Sequence, residues 1–169
     1  TNSYTRTLKE LGKNYSMTLK GVEATDSVNF DVRADEVVTA AQVTLKYSYS
    51  PALLADLSQI NVLVNDQVAA SLPLPKEDAG GLQTRTVQIP PQMITEFNRL
   101  SLQFIGHYTM QCEDPLHSSL WARIDNASQL SLQVSSVPQP DDLAALPLPL
   151  FDPRDALPLK LPFVFISRP

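Results

Sequence analysis

The chain has 169 residues and a mass of 18.6 kDa, with 43% hydrophobic and 18% charged residues and a formal net charge of -5. Its 13 basic residues are scattered singly and its isoelectric point lies near 4.9, so a nucleic-acid partner, which needs clustered Lys and Arg, is not expected. A single cysteine, Cys112, excludes an intrachain disulfide, and 5 glycines against 14 prolines leave no Gly-rich phosphate loop.

Taken in chain order, period-two alternation recurs. Tyr15, Met17 and Leu19 alternate with polar residues, then Val28, Phe30 and Val32, then Val43, Leu45, Tyr47 and Tyr49. Ile60, Val62 and Val64 follow, then Val87 and Ile89, then Leu100, Leu102 and Phe104, and finally Leu130, Leu132 and Val134. Each run puts apolar residues on one strand face and mostly Ser, Thr, Lys, Gln, Asn or Asp on the other, with Leu63 an exception. That is the pattern of antiparallel strands with one wet face. It predicts an all-β fold, a jelly-roll or Greek-key β-sandwich over residues 1–137.

The connections agree. Asn65-Asp66 suits a tight hairpin with positive φ. Gly80-Gly81 marks a loop. Pro90-Pro91 ends a strand, and Gln92 to Phe97 has room for one helical turn. Ala52 to Leu57 is the best longer helical candidate. Asp114-Pro115 reads as an N-cap with Pro at N1, opening a short helix toward Trp121.

From Pro138 the character changes: eight of the 14 prolines lie in residues 138–169. They prevent helix continuation and ladder pairing. Interleaved Leu and Phe make this Pro-rich C-terminal extension apolar rather than a polar linker. It is expected to lie along the domain surface or against a neighbouring domain. Leu161 to Ile166 has the pattern of a buried first strand of a following domain, so the chain reads as a piece of a longer protein. No apolar run reaches the ~18 residues of a membrane helix, and no signal peptide is visible.

Chemically able residues are densest from His107 to His117. His107, Cys112, Asp114 and His117 match no standard zinc spacing, so no metal is expected. Cys112 has His107 and His117 nearby but no oxyanion-hole motif, so it reads as a small buried apolar residue. Glu113 and Asp114 are neighbours in sequence and do not form an opposed acid–base pair. No catalytic residues, no cofactor and no enzyme activity are expected. Trp121 is the only tryptophan. It is either a stacking platform for a sugar ring or, more plainly, a core or loop-base anchor. Arg123 and Asp125 sit at alternating positions beside it. Tyr47 and Tyr49 share a face, more simply read as core.

These residues carry a resemblance. His107-Tyr108, Cys112 to Pro115 and Leu120 to Ile124 resemble the Cys/Asp-Pro/Leu-Trp signature of the periplasmic, membrane-anchored regulatory subunit of bacterial cellulose synthase. Tyr47 to Pro51, Ser58 to Val62 and Val64-Asn65 are similar to the same family, and Leu159 to Phe165 resembles the lead into its flavodoxin-like domain. The likeness spans about Leu8 to Phe165 and is read as closest to the enterobacterial members.

The resemblance implies a first jelly roll resembling a carbohydrate-binding module, followed at 138–169 by a linker toward a flavodoxin-like domain. It implies a periplasmic location, with the full-length protein held in the inner membrane by a C-terminal transmembrane helix lying outside this chain. It implies a non-catalytic subunit that supports synthase activity and guides the emerging β-1,4-glucan. Expected partners are the synthase catalytic subunit, further copies of the same regulatory subunit and, weakly, β-1,4-glucan. Trp121, Arg123, Asp125, Tyr108, Glu113, Asp114 and His117 are the expected contact residues. The alternative is a purely structural subunit–subunit domain without sugar binding, using exposed β edges and the loop Val68 to Gly81, with Leu72 to Pro75 at the contact.

The family's older description is a cyclic di-GMP-binding protein. Readers of that dinucleotide present paired arginines or Arg-x-x-Asp. Here all seven arginines are isolated, and none has Asp three residues on. No direct cyclic di-GMP binding is expected.

Overall fold

The computed structural model describes residues 1–137. The extension from Pro138, including the strand expected at Leu161 to Ile166, lies outside the described residues. Ten strands run in chain order: β1 (Asn2–Thr7), β2 (Met17–Lys20), β3 (Glu23–Asp31), β4 (Glu36–Tyr49), β5 (Gln59–Val64), β6 (Gln67–Pro73), β7 (Gln83–Ile89), β8 (Phe97–Ile105), β9 (Trp121–Ile124) and β10 (Gln129–Ser136). They form two sheets. The larger runs β1-β10-β4-β9-β2 with β7 also on β4, and the smaller runs β3-β8-β5-β6. This is an all-β sandwich of the expected jelly-roll type. Only β5 and β6 are neighbours in both sequence and sheet, so nearly all pairing is long-range.

The apolar runs make the core. On β4 the inward Val43, Leu45, Tyr47 and Tyr49 alternate with half-exposed residues. They meet Ile60, Val62 and Val64 of β5 and Leu100, Leu102 and Phe104 of β8, all 0% exposed. Each such side chain contributes about 1.5–3 kcal/mol on burial. Tyr47 and Tyr49 are core residues. Their rings stack at 6.1 Å, and burial, followed by the Tyr47 neighbour, pushes the Tyr49 hydroxyl up to about 12. That hydroxyl donates to the Pro75 carbonyl.

The Asn65-Asp66 hairpin has the expected positive φ, 53° and 69°. Elsewhere local expectation gives way to tertiary pairing. Ala52 to Leu57 is not a helix, because the Leu54 amide donates to the His107 carbonyl at 2.7 Å instead of within its own segment. The turn after Pro90 is a 3-10 turn at Pro91–Met93, and Phe97 opens β8. Tyr15 precedes β2 and is 85% exposed, so it does not continue that strand's buried face. Leu72 and Leu74 are 3% and 0% exposed; they face the core and cannot form the outward contact expected of Leu72 to Pro75.

Candidate functional site

The segment between β8 and β9 carries most of the expected site residues. Its base is fixed by backbone bonds. The His107 amide donates to Ser58 Oγ at 3.1 Å, and the Ser58 hydroxyl returns a bond to the His107 carbonyl at 3.3 Å. Gly106 precedes this anchor because nothing larger fits. A Cβ there would lie 2.3 Å from the Phe104 ring, while the Gly106 amide reaches the Val22 carbonyl at 2.9 Å.

Glu113 closes the loop on itself. One carboxylate oxygen meets His107 Nδ1 at 2.7 Å and the other accepts the Tyr108 amide at 2.7 Å. Partial burial opposes ionisation. The bonds from His107 and Tyr108 outweigh it and hold the Glu113 carboxyl below its ordinary value. The Tyr108 hydroxyl then accepts the Asp114 amide at 2.9 Å. Its ring stacks on His117, with centroids 4.3 Å apart and an interplanar angle of 26°. His117 Nδ1 accepts the Ser119 amide at 3.0 Å, which places the proton of the neutral ring on Nε2. Tyr108, Glu113, Asp114 and His117 thus form one linked cluster.

Two expectations fail in this loop. Asp114 caps as its residue type suggests, with Oδ1 accepting the Leu116 amide at 3.0 Å, but no helix follows. The Pro115 carbonyl is taken by the Val22 amide at 3.1 Å, and the Ser119 amide by the His117 ring, so the helical ladder cannot propagate. Cys112 is exposed, with φ 41°, rather than buried. It sits at the rim of a cleft of about 300 Å³ lined by Leu57, His107, Met110 and Glu113 among others. Met110 and Leu116 stand 83% and 85% exposed.

Trp121, Arg123 and Asp125 fall elsewhere. Ala122 and Ile124 of β9 are buried, so Trp121 and Arg123 lie on the outer face of the larger sheet. Trp121 is half-buried and opposite Lys20; Arg123 is exposed, opposite Thr18 on β2 and Ser48 on β4. The Asp125 carboxylate accepts the Ala127 amide at 2.8 Å, so it is committed to the turn before β10. The expected residues therefore form a loop cluster and a sheet-face pair.

An exposed ring that the alternation pattern alone does not single out is Phe97, 70% exposed at the start of β8. Extending the alternation of Leu100, Leu102 and Phe104 backward puts Asn98 inside and Phe97 on the wet face with Arg99. Asp31 lies opposite it on β3. The same outer face carries a hydrogen-bonded row from Glu23 through Gln103 and Asn61 to Ser71, with bonds of 2.7–2.9 Å.

The family model and the sequence relatives point to one family. The family described as "Cellulose synthase BcsB, first CBM domain" matches residues 1–136. A protein of Pseudomonas fluorescens named "Cyclic di-GMP-binding protein" is 70% identical over 98% of this chain and 22% of its own length. A protein of the same name from Salmonella typhi is 42% identical over 91% of this chain and 20% of its own length. The enterobacterial likeness is thus present, and the Pseudomonas protein is nearer. The chain spans about a fifth of the length of these relatives. A family 35 carbohydrate binding module from an environmental isolate aligns with TM-score 0.42 at 14% identity, covering 72% of this chain and 76% of that one. By its match over residues 1–136, the chain belongs to the BcsB family of cellulose synthase proteins, as the family's first CBM domain.

Proposed function

We propose that this domain is a non-catalytic part of a bacterial cellulose synthase complex, working in the periplasm, where it contacts the secreted β-1,4-glucan and supports synthase activity. The observation that carries the reading is the fixed Tyr108–His117 stack at one end of the sandwich. The two half-buried rings cover each other's inner faces, so the outer side of the pair is what they offer to the C–H groups of a pyranose, with the His117 Nε2 proton beside it for a hydroxyl. The loop is locked before any ligand arrives, so little ordering entropy is lost on contact. Trp121 and Arg123 offer a second, shallower surface. Among the described residues no helix is long and apolar enough to cross a membrane.

The test is glucan output from membrane vesicles holding the synthase and the full-length regulatory subunit with Tyr108→Ala and His117→Ala. Output should fall while the regulatory subunit still co-purifies with the catalytic one. Unchanged output would remove the glucan role from this loop.

A second reading is favoured by Met110 and Leu116, two large apolar side chains held outward on the same loop. There the loop packs against another copy of the same protein without touching sugar. Met110→Ser with Leu116→Ser would then lower assembly, whereas the glucan reading leaves assembly intact.

We also propose that this domain does not bind cyclic di-GMP, although relatives carry that name. Arg33 is held by Asp35 through bonds of 3.0 and 2.9 Å, and no two of the seven arginines stand three or four residues apart as a pair awaiting phosphates would. Calorimetry with cyclic di-GMP should give no heat; a sub-micromolar isotherm abolished by an Arg substitution would overturn this.

A further inference from the structure

We infer that the outer face of the smaller sheet carries a second saccharide-binding site, centred on Phe97 at the end of β8 away from the Tyr108–His117 loop. The inference rests on the reading that the domain meets a glucan, and adds a place and a set of residues to it.

The chemistry lies on rigid strands. Phe97 exposes 70% of its surface at the rim of a cleft of about 420 Å³ whose other lining side chains are polar. Asn29 and Asp31 approach from β3, opposite Arg99 and Phe97 respectively. Neither makes a side-chain hydrogen bond among the bonds found for the described residues, so their amide and carboxylate groups are unspent. From the other side comes Asp66, 3.5 Å from Arg99, with side chains 81% and 57% exposed. So wet a pair is held weakly and can exchange its partner for a ligand hydroxyl.

The hairpin that presents Asp66 is pinned. Asn65 donates to the Met93 carbonyl at 3.1 Å and to Asn98 at 3.0 Å, and accepts the Arg99 amide at 2.9 Å. Asn98, 5% exposed, accepts the Thr95 amide at 2.7 Å and donates to the Thr95 carbonyl at 2.8 Å. Backbone and second layer are therefore satisfied internally, and the outward groups are left over. One open aromatic face ringed by an amide, carboxylates of both neighbouring elements and a guanidinium suits a neutral polyhydroxylated ring: C–H groups against Phe97, hydroxyls to the polar rim. A polyanion would meet two carboxylates, and an apolar peptide would leave the Asn29 amide and the Asp31 carboxylate unpaired.

The test is a titration of the 169-residue chain, labelled with 15N, with cellohexaose. The expected result is shift changes at the amides of Asn29, Asp31, Asp66, Phe97 and Arg99. Phe97→Ala should keep a dispersed spectrum and weaken binding at that set by about tenfold, the size of one stacking contact. Tyr108→Ala should leave that set responding. Changes confined to the Tyr108–His117 loop would overturn the inference and leave the proposed function standing. Changes confined to the Phe97 set would uphold the inference while removing the proposed loop site. Changes at the Phe97 set on concentrating the protein without sugar would overturn it in favour of contact between copies, and an unchanged spectrum would overturn it outright.

Discussion

The two ends of β8 are built in opposite ways. Ile105 leads into a loop held by its own side chains, with Glu113 clamping His107 and Tyr108. Phe97 opens onto a strand-borne platform whose buried Asn98 and half-buried Asn65 do the holding while Asn29 and Asp31 stay unspent. They lie roughly 25 Å apart along the strand, from the rise per residue of a β-strand. The first surface exists only while an ionised side chain keeps a loop closed. The second exists wherever the sheet does. Perturbations should therefore separate them.

The largest expected effect removes both. Phe104→Ala empties the core beneath the loop base and should cost about 3–5 kcal/mol in chemical denaturation. A loss below about 1 kcal/mol would contradict close packing around this fully buried ring. Next comes Gly106→Ala, which forces a methyl into the Phe104 ring and should cost about 1–3 kcal/mol. In its spectrum, shifts should be largest from His107 to His117 and small at Phe97.

Asn98→Ala should reverse that pattern. It removes a buried amide serving Thr95 and Asn65, so a loss of about 1–3 kcal/mol is expected, with shifts centred on the Asn65-Asp66 hairpin. Disturbance spreading to Tyr108 would show that the ends are not independent.

Smaller still is the response to acid. Glu113 is held below its ordinary value, so its ionised form stabilises the closed loop. That contribution is complete above the ordinary glutamate value and is lost as pH falls through the lower folded value. The Tyr108 amide shift should titrate in that window in the native chain and stay flat in Glu113→Gln, while Phe97 is unmoved. A Tyr108 midpoint above the ordinary value would contradict the clamp. The mildest test leaves the fold untouched: exposed Cys112 should react with a thiol reagent in the native protein, and protection until unfolding would contradict its position.

The core strands were legible because burial on one face forces period two. Val43 to Tyr49 and Leu100 to Phe104 need no partner to be recognised. The strands that escaped lack such a face. β1, Asn2–Thr7, has only Tyr4 to bury; β6, Gln67–Pro73, is a strand where a loop from Val68 to Gly81 is expected, and buries only Leu72; and β9 is four residues whose outward Trp121 and Arg123 hide the alternation of Ala122 and Ile124. The capping of Asp114 was readable and the missing helix was not, because Val22, nearly a hundred residues upstream, takes the carbonyl that the helix would use. Among the site residues, the Tyr108, Glu113, Asp114 and His117 group lay within one segment and was found together. Phe97 follows prolines that read as a turn, and only the parity of β8 puts it on the wet face.

The central claim, that the loop end of the sandwich touches β-1,4-glucan, can be tested through the chain's single cysteine. A nitroxide on Cys112 stands beside Glu113 and within reach of the Tyr108–His117 stack. Added cellohexaose should show proton resonances broadened by the label, and Tyr108→Ala should restore their sharpness. Broadening no greater than that from the same nitroxide free in solution would contradict contact at this loop.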